Sequence, residues 1–286
     1  MGAEVVVSAM GEGGRAGTVI ALPGWKGTDL GLRGLLRNTV EAGFGVIVVN
    51  PPGNGVSPSA PARVETLAEL TEVILETLET LPEIQNSAVL LGHSFGATVA
   101  ISLAAKRPPW LHGLALVSPV VRAQASQSGI RGRLAQLVVD ASGSLLRDCP
   151  RVVADAYIRS RLVEYATNLL YARSKFNGAR QIIMRSNIEH GLCADPRSVG
   201  DHLRMAGGHG CIDFAAHVRC PVEILAGNSD PMSSVAELEL LRSQIAEARL
   251  TVVTGAGHLA HHENAKQFSK LTADCVSALM SAAGSP

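Results

Sequence analysis

The chain has 286 residues, 47% of them hydrophobic and only 3% aromatic, so Leu, Val, Ile and Ala must fill a core large enough for one α/β domain or a core plus an insertion. Its 25 basic and 25 acidic residues balance, which argues against a general nucleic-acid binder. Five scattered cysteines, Cys149, Cys193, Cys211, Cys220 and Cys275, form no CxxC pair and suit buried thiols in a reducing cytoplasm, not a disulfide framework.

The opening "MGAEVVVSAMGEGG" has neither a basic nor a long apolar segment, so no signal peptide is expected. Short Val/Ile/Leu runs then recur, each ending in small or turn residues: "EVVVSA", "TVIALPG", "FGVIVVNPPG", "SAVLLGH", "LHGLALVSP", "VEILAGNSD" and "LTVVTGAGH". Continuous apolar runs of this length fit parallel strands covered on both faces. Between the first two runs, "MGEGGRAG" is too short for a helix and reads as a hairpin loop. Gly11–Ala16 formally fits the dinucleotide fingerprint, but that motif needs a helix to receive the pyrophosphate, and here the next strand begins at once. "LAELTEVILETLETL" places apolar residues at three- and four-residue spacing and predicts an amphipathic helix. Strands alternating with helices predict a doubly wound, mostly parallel α/β sheet. The stretch Ser87 to Ala105 has no charged residue and is nearly long enough to span a bilayer. Its internal Gly, His and Ser fit a buried strand–turn–helix better, so no membrane span is expected.

After Pro119 the alternation breaks. From Val120 to about Ala206 the pattern is helical, as in "RGRLAQLVVDASGSLL" and "RVVADAYIRSRLVEYATNLLYARSKF". The predicted organisation is a core over 1–119, a helical insertion over 120–206 and the rest of the core over 207–286. From Val121 to Ala206 the chain carries thirteen Lys/Arg against seven Asp/Glu. The simpler account is the solvated face of amphipathic helices. The sharper one is a lid that attracts an anionic substrate or an acidic carrier protein.

The chemistry centres on "GHSFG", which fits G-x-S-x-G. A nucleophile on a sharp strand-to-helix turn needs small residues two before and two after it, here Gly92 and Gly96 around Ser94. A serine hydroxyl also needs a base, and His258 follows the last strand-like run in a Gly-rich loop. His261 and His262 lie three and four residues later. A metal site drawn on these three would need further ligands, so solvated helix residues account for the latter two. Asp230, after the penultimate run, is the acid that orients the base, in the chain order Ser…Asp…His. Asp213 is a weaker rival because it precedes that run. Two backbone donors are required for an oxyanion: the Phe95 N–H after the nucleophile and the Trp25 N–H in "PGWKG". The Trp25 side chain is either a pocket wall or a plain surface or core residue. His209, Cys211, Asp213, His217 and Cys220 can be drawn as a metal cluster, but their spacing is irregular and no metal is expected.

Jointly and in order, "LPGWKG", "NPPGNGVS", "GHSFG", "LVSP", "GNSDP" and "GAGH…E" resemble the α/β-hydrolase superfamily over nearly the whole chain. Residues 120 to about 206 stand where that family inserts its cap. The resemblance implies Ser94 as nucleophile, Asp230 as acid, His258 as base, and Trp25 and Phe95 as oxyanion donors. Three places depart from the family pattern. Pro23-Gly24 replaces the usual His-Gly, Asn50 to Ser57 replaces the usual acidic turn, and Ala97 replaces a frequent glycine. A serine nucleophile argues against the haloalkane dehalogenase and epoxide hydrolase branches, which use aspartate. "GHSFGA" resembles editing thioesterases, whose other usual signature near the oxyanion loop is absent.

The expected protein is a cytoplasmic serine hydrolase that needs no cofactor and cleaves a carboxylic ester, lactone or thioester through an acyl-enzyme on Ser94. Its expected partner is a small acyl molecule, anionic or carrier-bound if the basic insertion acts as a lid. Acyl transfer, cyclisation or carbon–carbon bond hydrolysis with the same residues is the first rival. A non-catalytic ligand-binding member of the fold is the second, because a fold does not fix a function.

Overall fold

The computed structural model describes residues 5–11, 16–60, 63–84, 87–123, 130–163, 165 and 194–282, with the backbone alone for 130–135. Seven strands form one sheet: β1 (Val6–Met10), β2 (Thr18–Leu22), β3 (Gly45–Asn50), β4 (Ala88–His93), β5 (Leu111–Val117), β6 (Val222–Gly227) and β7 (Ala248–Val253). Their spatial order is β1-β3-β2-β4-β5-β6-β7, and every neighbouring pair is parallel except β1 with β3. Each apolar run in the sequence corresponds to one strand.

The hairpin expected between the first two strands does not form. β1 pairs antiparallel with β3, Val6 opposite Asn50 and Met10 opposite Val46, while β2 lies between β3 and β4. The reason is burial. β2 is almost wholly enclosed and uses both edges for parallel neighbours, whereas the half-exposed β1 is suited only to a sheet edge.

Alternate residues of each strand supply two apolar layers, as the two-residue period of a strand demands. Ile20, Leu22, Ile47, Val49, Leu90 and Leu116 face α2 (Leu67–Glu79), α3 (Phe95–Ala105) and α8 (Val235–Ser243). Val19, Ala21, Val46, Val48, Val89 and Leu91 face α1 (Asp29–Glu41) and α10 (Ala265–Ala282). α2 starts where Thr66 and Glu69 close a capping box, an arrangement that stabilises a helix by about 1 kcal/mol. α3 is buried from Phe95 to Ala104, which explains why this stretch carries no charge.

Between β5 and β6 the chain leaves the sheet for α4 (Ile130–Asp148), α5 (Arg151–Ile158) and α6 (Pro196–Gly208), then returns through α7 (Ile212–Ala215). The second helical pattern predicted in the insertion stops first at Ile158. Most of its remainder lies outside the described residues. α6 begins with Pro196 behind an Asp195 cap and runs past Ala206. Leu146, Ala154, Ile158, Ala194 and Val199 make a small separate core here. Three polar tethers fasten α6 to the sheet domain. Asp195 N–H donates to the Gly53 carbonyl at 2.8 Å, and Trp25 Nε1–H donates to the Val199 carbonyl at 2.9 Å. Arg63 grips the buried Asp201 with two bonds of 2.8 and 2.9 Å. Among the described residues no helix is long and apolar enough to cross a membrane.

Candidate active site

Ser94 sits between β4 and α3 with φ 54° and ψ −120°, a backbone conformation that L-residues rarely adopt. The two glycines around it are required by contact. A Cβ on Gly92 would run into the backbone of Gly96 and Ala97, and one on Gly96 into the carbonyls of Leu22 and Pro23. The turn therefore closes only when both positions lack a side chain, and this closure lifts Ser94 to the C-terminal edge of the sheet.

Two neighbouring loops meet Ser94 there. After β6, Asn228 N–H bonds to Val253, Ser229 N–H bonds to Ala256, and the Asn228 side chain accepts from Gly255 at 2.7 Å. These bonds join the loop carrying Asp230 to the loop carrying His258. The result is a continuous hydrogen-bonded chain. Ser94 Oγ lies 2.8 Å from His258 Nε2, and His258 Nδ1 lies 2.9 Å from Asp230 Oδ2. A carboxylate can only accept, so Nδ1 carries the proton and Nε2 is left to accept from the serine hydroxyl. Met232 N–H donates to the other oxygen of Asp230 at 2.8 Å and holds the carboxylate in place. Asp213, the rival acid, instead accepts from Gly210 N–H at the start of α7.

The loop after β2 forms the opposite wall. Gly27 N–H closes a turn onto Gly24, and Lys26 within it has φ 60°. Gly24 packs so closely that an added Cβ would lie 3.2 Å from that of Ser94. Trp25 and Phe95 both border the same cavity of about 170 Å³ as Ser94 and His258. Trp25 borders this cavity, and its partly buried side chain packs against the core and bonds to α6. Val139, Leu203 and Ala206 of the insertion complete the apolar side.

Two site residues, His93 and Lys26, were given no role by the sequence. His93 is buried and packs edge-on against His261, with ring centroids 4.1 Å apart. Burial, followed by the neighbouring His258 ring, pushes the His93 pKa down to about 3 and keeps the ring neutral. The expectation of a solvated His261 is therefore corrected. The short helix α9 (Ala260–Glu263) turns that side chain inward, and it borders the cavity. Lys26 is buried beside the Trp25 ring, with Nζ 5.8 Å from the ring centroid. Burial lowers its pKa to about 8. Lys26 follows the expected oxyanion donor directly, and its charge beside a tryptophan was the available signal. Of the drawn metal cluster, Cys211 is buried against Thr98 and His209 pairs with Phe214 and Asp213. Among the described residues no three His, Cys, Asp or Glu side chains are placed to hold a metal ion.

Comparison with known proteins matches residues 19–271 to the model of a family described as the alpha/beta hydrolase family. The chain is 29% identical to the polyketide synthase ThaQ of Burkholderia thailandensis over 257 residues, which is 88% of this chain but only 11% of that protein's length. It is 27% identical to a pimeloyl-[acyl-carrier protein] methyl ester esterase of Aromatoleum aromaticum, over 86% of this chain and 94% of that protein. Among solved structures, an esterase from Exiguobacterium antarcticum superposes with a TM-score of 0.77 at 17% identity, covering 95% of each chain.

Proposed function

The chain belongs to the α/β-hydrolase family, and from that premise we propose that it is a serine hydrolase acting through an acyl-enzyme on Ser94. The observation that carries this reading is the hydrogen-bonded chain from Ser94 Oγ through His258 to Asp230. In the proposed mechanism Ser94 Oγ attacks the acyl carbonyl while His258 Nε2 takes its proton. The carbonyl oxygen becomes an oxyanion facing the N–H groups of Trp25 and Phe95. Collapse breaks the bond to the leaving group, which receives the proton from His258. Water, deprotonated by the same nitrogen, then releases the acid and restores Ser94. Asp230 holds the Nδ1–H tautomer throughout and stabilises the transient imidazolium.

The proposed substrate is a carboxylic ester, lactone or thioester with a short acyl group, as an apolar cavity of about 170 Å³ allows. The excess of basic residues in the insertion favours an anionic or carrier-bound acyl group, and the Aromatoleum relative, a pimeloyl-[acyl-carrier protein] methyl ester esterase, supports that class. In this reading the insertion is the cap over Ser94.

A fluorophosphonate probe tests the chemistry. It should label the wild type at Ser94, and Ser94→Ala or His258→Ala should abolish labelling. A folded wild type that stays unlabelled overturns the reading. Matched neutral and anionic acyl esters, compared at low and high salt, test the substrate class. Equal turnover under both conditions removes the preference for anions.

A further inference from the structure

A second cavity, of about 490 Å³, opens where the core loop before α2 meets the insertion. Three parts of the chain build it: Pro52, Ser59, Ala60, Arg63 and Val64 of the core, the junction of α4 with α5, and the first turns of α6. Arg63, Arg147, Arg151 and Arg197 line it, together with Asp195 and Asp201. Among the described residues it shares no wall with the Ser94 cavity. The buried His202 ring separates the two, with its centroid 6.2 Å from that of Phe95.

The two carboxylates of this cavity are already engaged. Asp201 is spent on Arg63 through both oxygens. Asp195 accepts from the N–H and hydroxyl of Ser198 and forms a loose ion pair with Arg151 at 3.6 Å, and Arg151 also lies 3.8 Å from Asp155. The arginines keep donors to spare. Arg147 uses Nε on Asp148 at 2.7 Å, which leaves the two terminal nitrogens of its fork. Arg197 makes no ion pair among the described residues. Arg151 and Arg197 also stand in the first turns of α5 and α6, whose positive helix ends both open on this space. His202, another lining residue, is buried with its Nδ1 lacking a hydrogen-bond partner among the described residues. Guanidinium forks with unused terminal nitrogens match a tetrahedral oxyanion in geometry and charge, even where each also pairs with a carboxylate.

We propose that this cavity binds a phosphate group, held by Arg147, Arg151 and Arg197 against the fixed wall of the Arg63–Asp201 pair. The group is either free phosphate or a phosphate carried on the leaving group of the substrate. Phosphate binding itself does not depend on Ser94 chemistry; only the second source does.

Calorimetric titration of inorganic phosphate into the full chain, at constant ionic strength, tests the site. Saturable one-site binding is expected at about 1 mM or tighter, and Arg147→Ala/Arg197→Ala should weaken it about tenfold or more. The single Arg197→Glu variant, at an exposed position, serves as a second measurement should the double variant fail to fold. Absence of saturable binding, or binding that neither variant weakens, overturns the proposal. The same titration on Ser94→Ala should match wild type, so loss of the hydrolase reading leaves this site standing. Two acyl esters alike except for a phosphate on the leaving group separate the sources. A kcat/KM loss confined to the phosphorylated ester in the arginine variant assigns the site to substrate. Unchanged kcat/KM with weakened phosphate binding assigns it to free phosphate.

Discussion

The sheet core around Ser94 and the helical insertion above it are held in place by different forces. The elbow is enclosed by backbone and buried apolar side chains on every side, from β2 and β4 to α3. The described part of the insertion has a cluster of only five buried residues, and Leu137, Val152 and Leu162 stand exposed, Leu162 at 76%. Its position over the sheet depends on Met205, which enters the main core, on a few hydrogen bonds and on one bidentate ion pair. Dense packing does not permit small displacements, because any shift meets another atom. A polar tether is worth about 1 kcal/mol net and can be adjusted singly. Fixed geometry therefore belongs to the first region and singly adjustable contacts to the second.

Four variants can break or sharpen this contrast. Ser94→Ala should lower ester turnover by about 10⁴-fold or more while leaving thermal stability nearly unchanged, as steady-state kinetics and a melt on one sample would show. A small loss of turnover would remove Ser94 from the chemistry. Gly96→Ala tests the packing of the core. Its methyl group meets the Leu22 and Pro23 carbonyls, and an unfolding free energy lower by about 3 kcal/mol is expected in urea. A neutral result would mean that the elbow can relax.

Acid stability compares the two regions through their buried histidines. Burial holds His202 in the insertion at about 4, against 6.5 for an ordinary ring. The folded ring stays neutral where the unfolded one takes up a proton. Stability present above pH 6.5 is therefore lost as pH falls toward 4, by about 1.4 kcal/mol per unit. His93 in the core loses stability in the same direction but over a wider window, down to about 3. His202→Gln should flatten its part of this slope in denaturation curves taken at pH 7 and at pH 4.5. Superimposable acid limbs would show that the ring is not buried neutral. The smallest effect is expected from Trp25→Phe, which keeps the ring and removes the donor to Val199. It should cost about 1 kcal/mol and, by loosening the loop after β2, slow kcat by up to about fivefold. Wild-type values for both would show that this tether does not position the loop.

Much of the fold and part of the site were legible in the sequence for local reasons. The seven strands announce themselves as Val/Ile/Leu runs, and α2 by its spacing and its Thr66–Glu69 box. The elbow is legible because its glycines are demanded by atoms only a few residues away or in the adjacent strand. The partner of β1 was not legible, because an apolar alternation states which face is buried and not which edge is paired. The burial of His261 was hidden for a related reason. It follows from a short helix folding its side chain against His93, far away along the chain.

By itself, then, the sequence determined the strands, the chain order of Ser94, Asp230 and His258, and the sharp turn at Ser94. Each depends on near neighbours or on a side-chain type that only one local conformation satisfies. Only the tertiary structure decided which side chains enclose the serine, how α6 fastens to the loop after β2 across 174 residues, and that four arginines share a second cavity. Those arrangements depend on contacts between distant segments, whose geometry exists only once the sheet and the insertion have packed together.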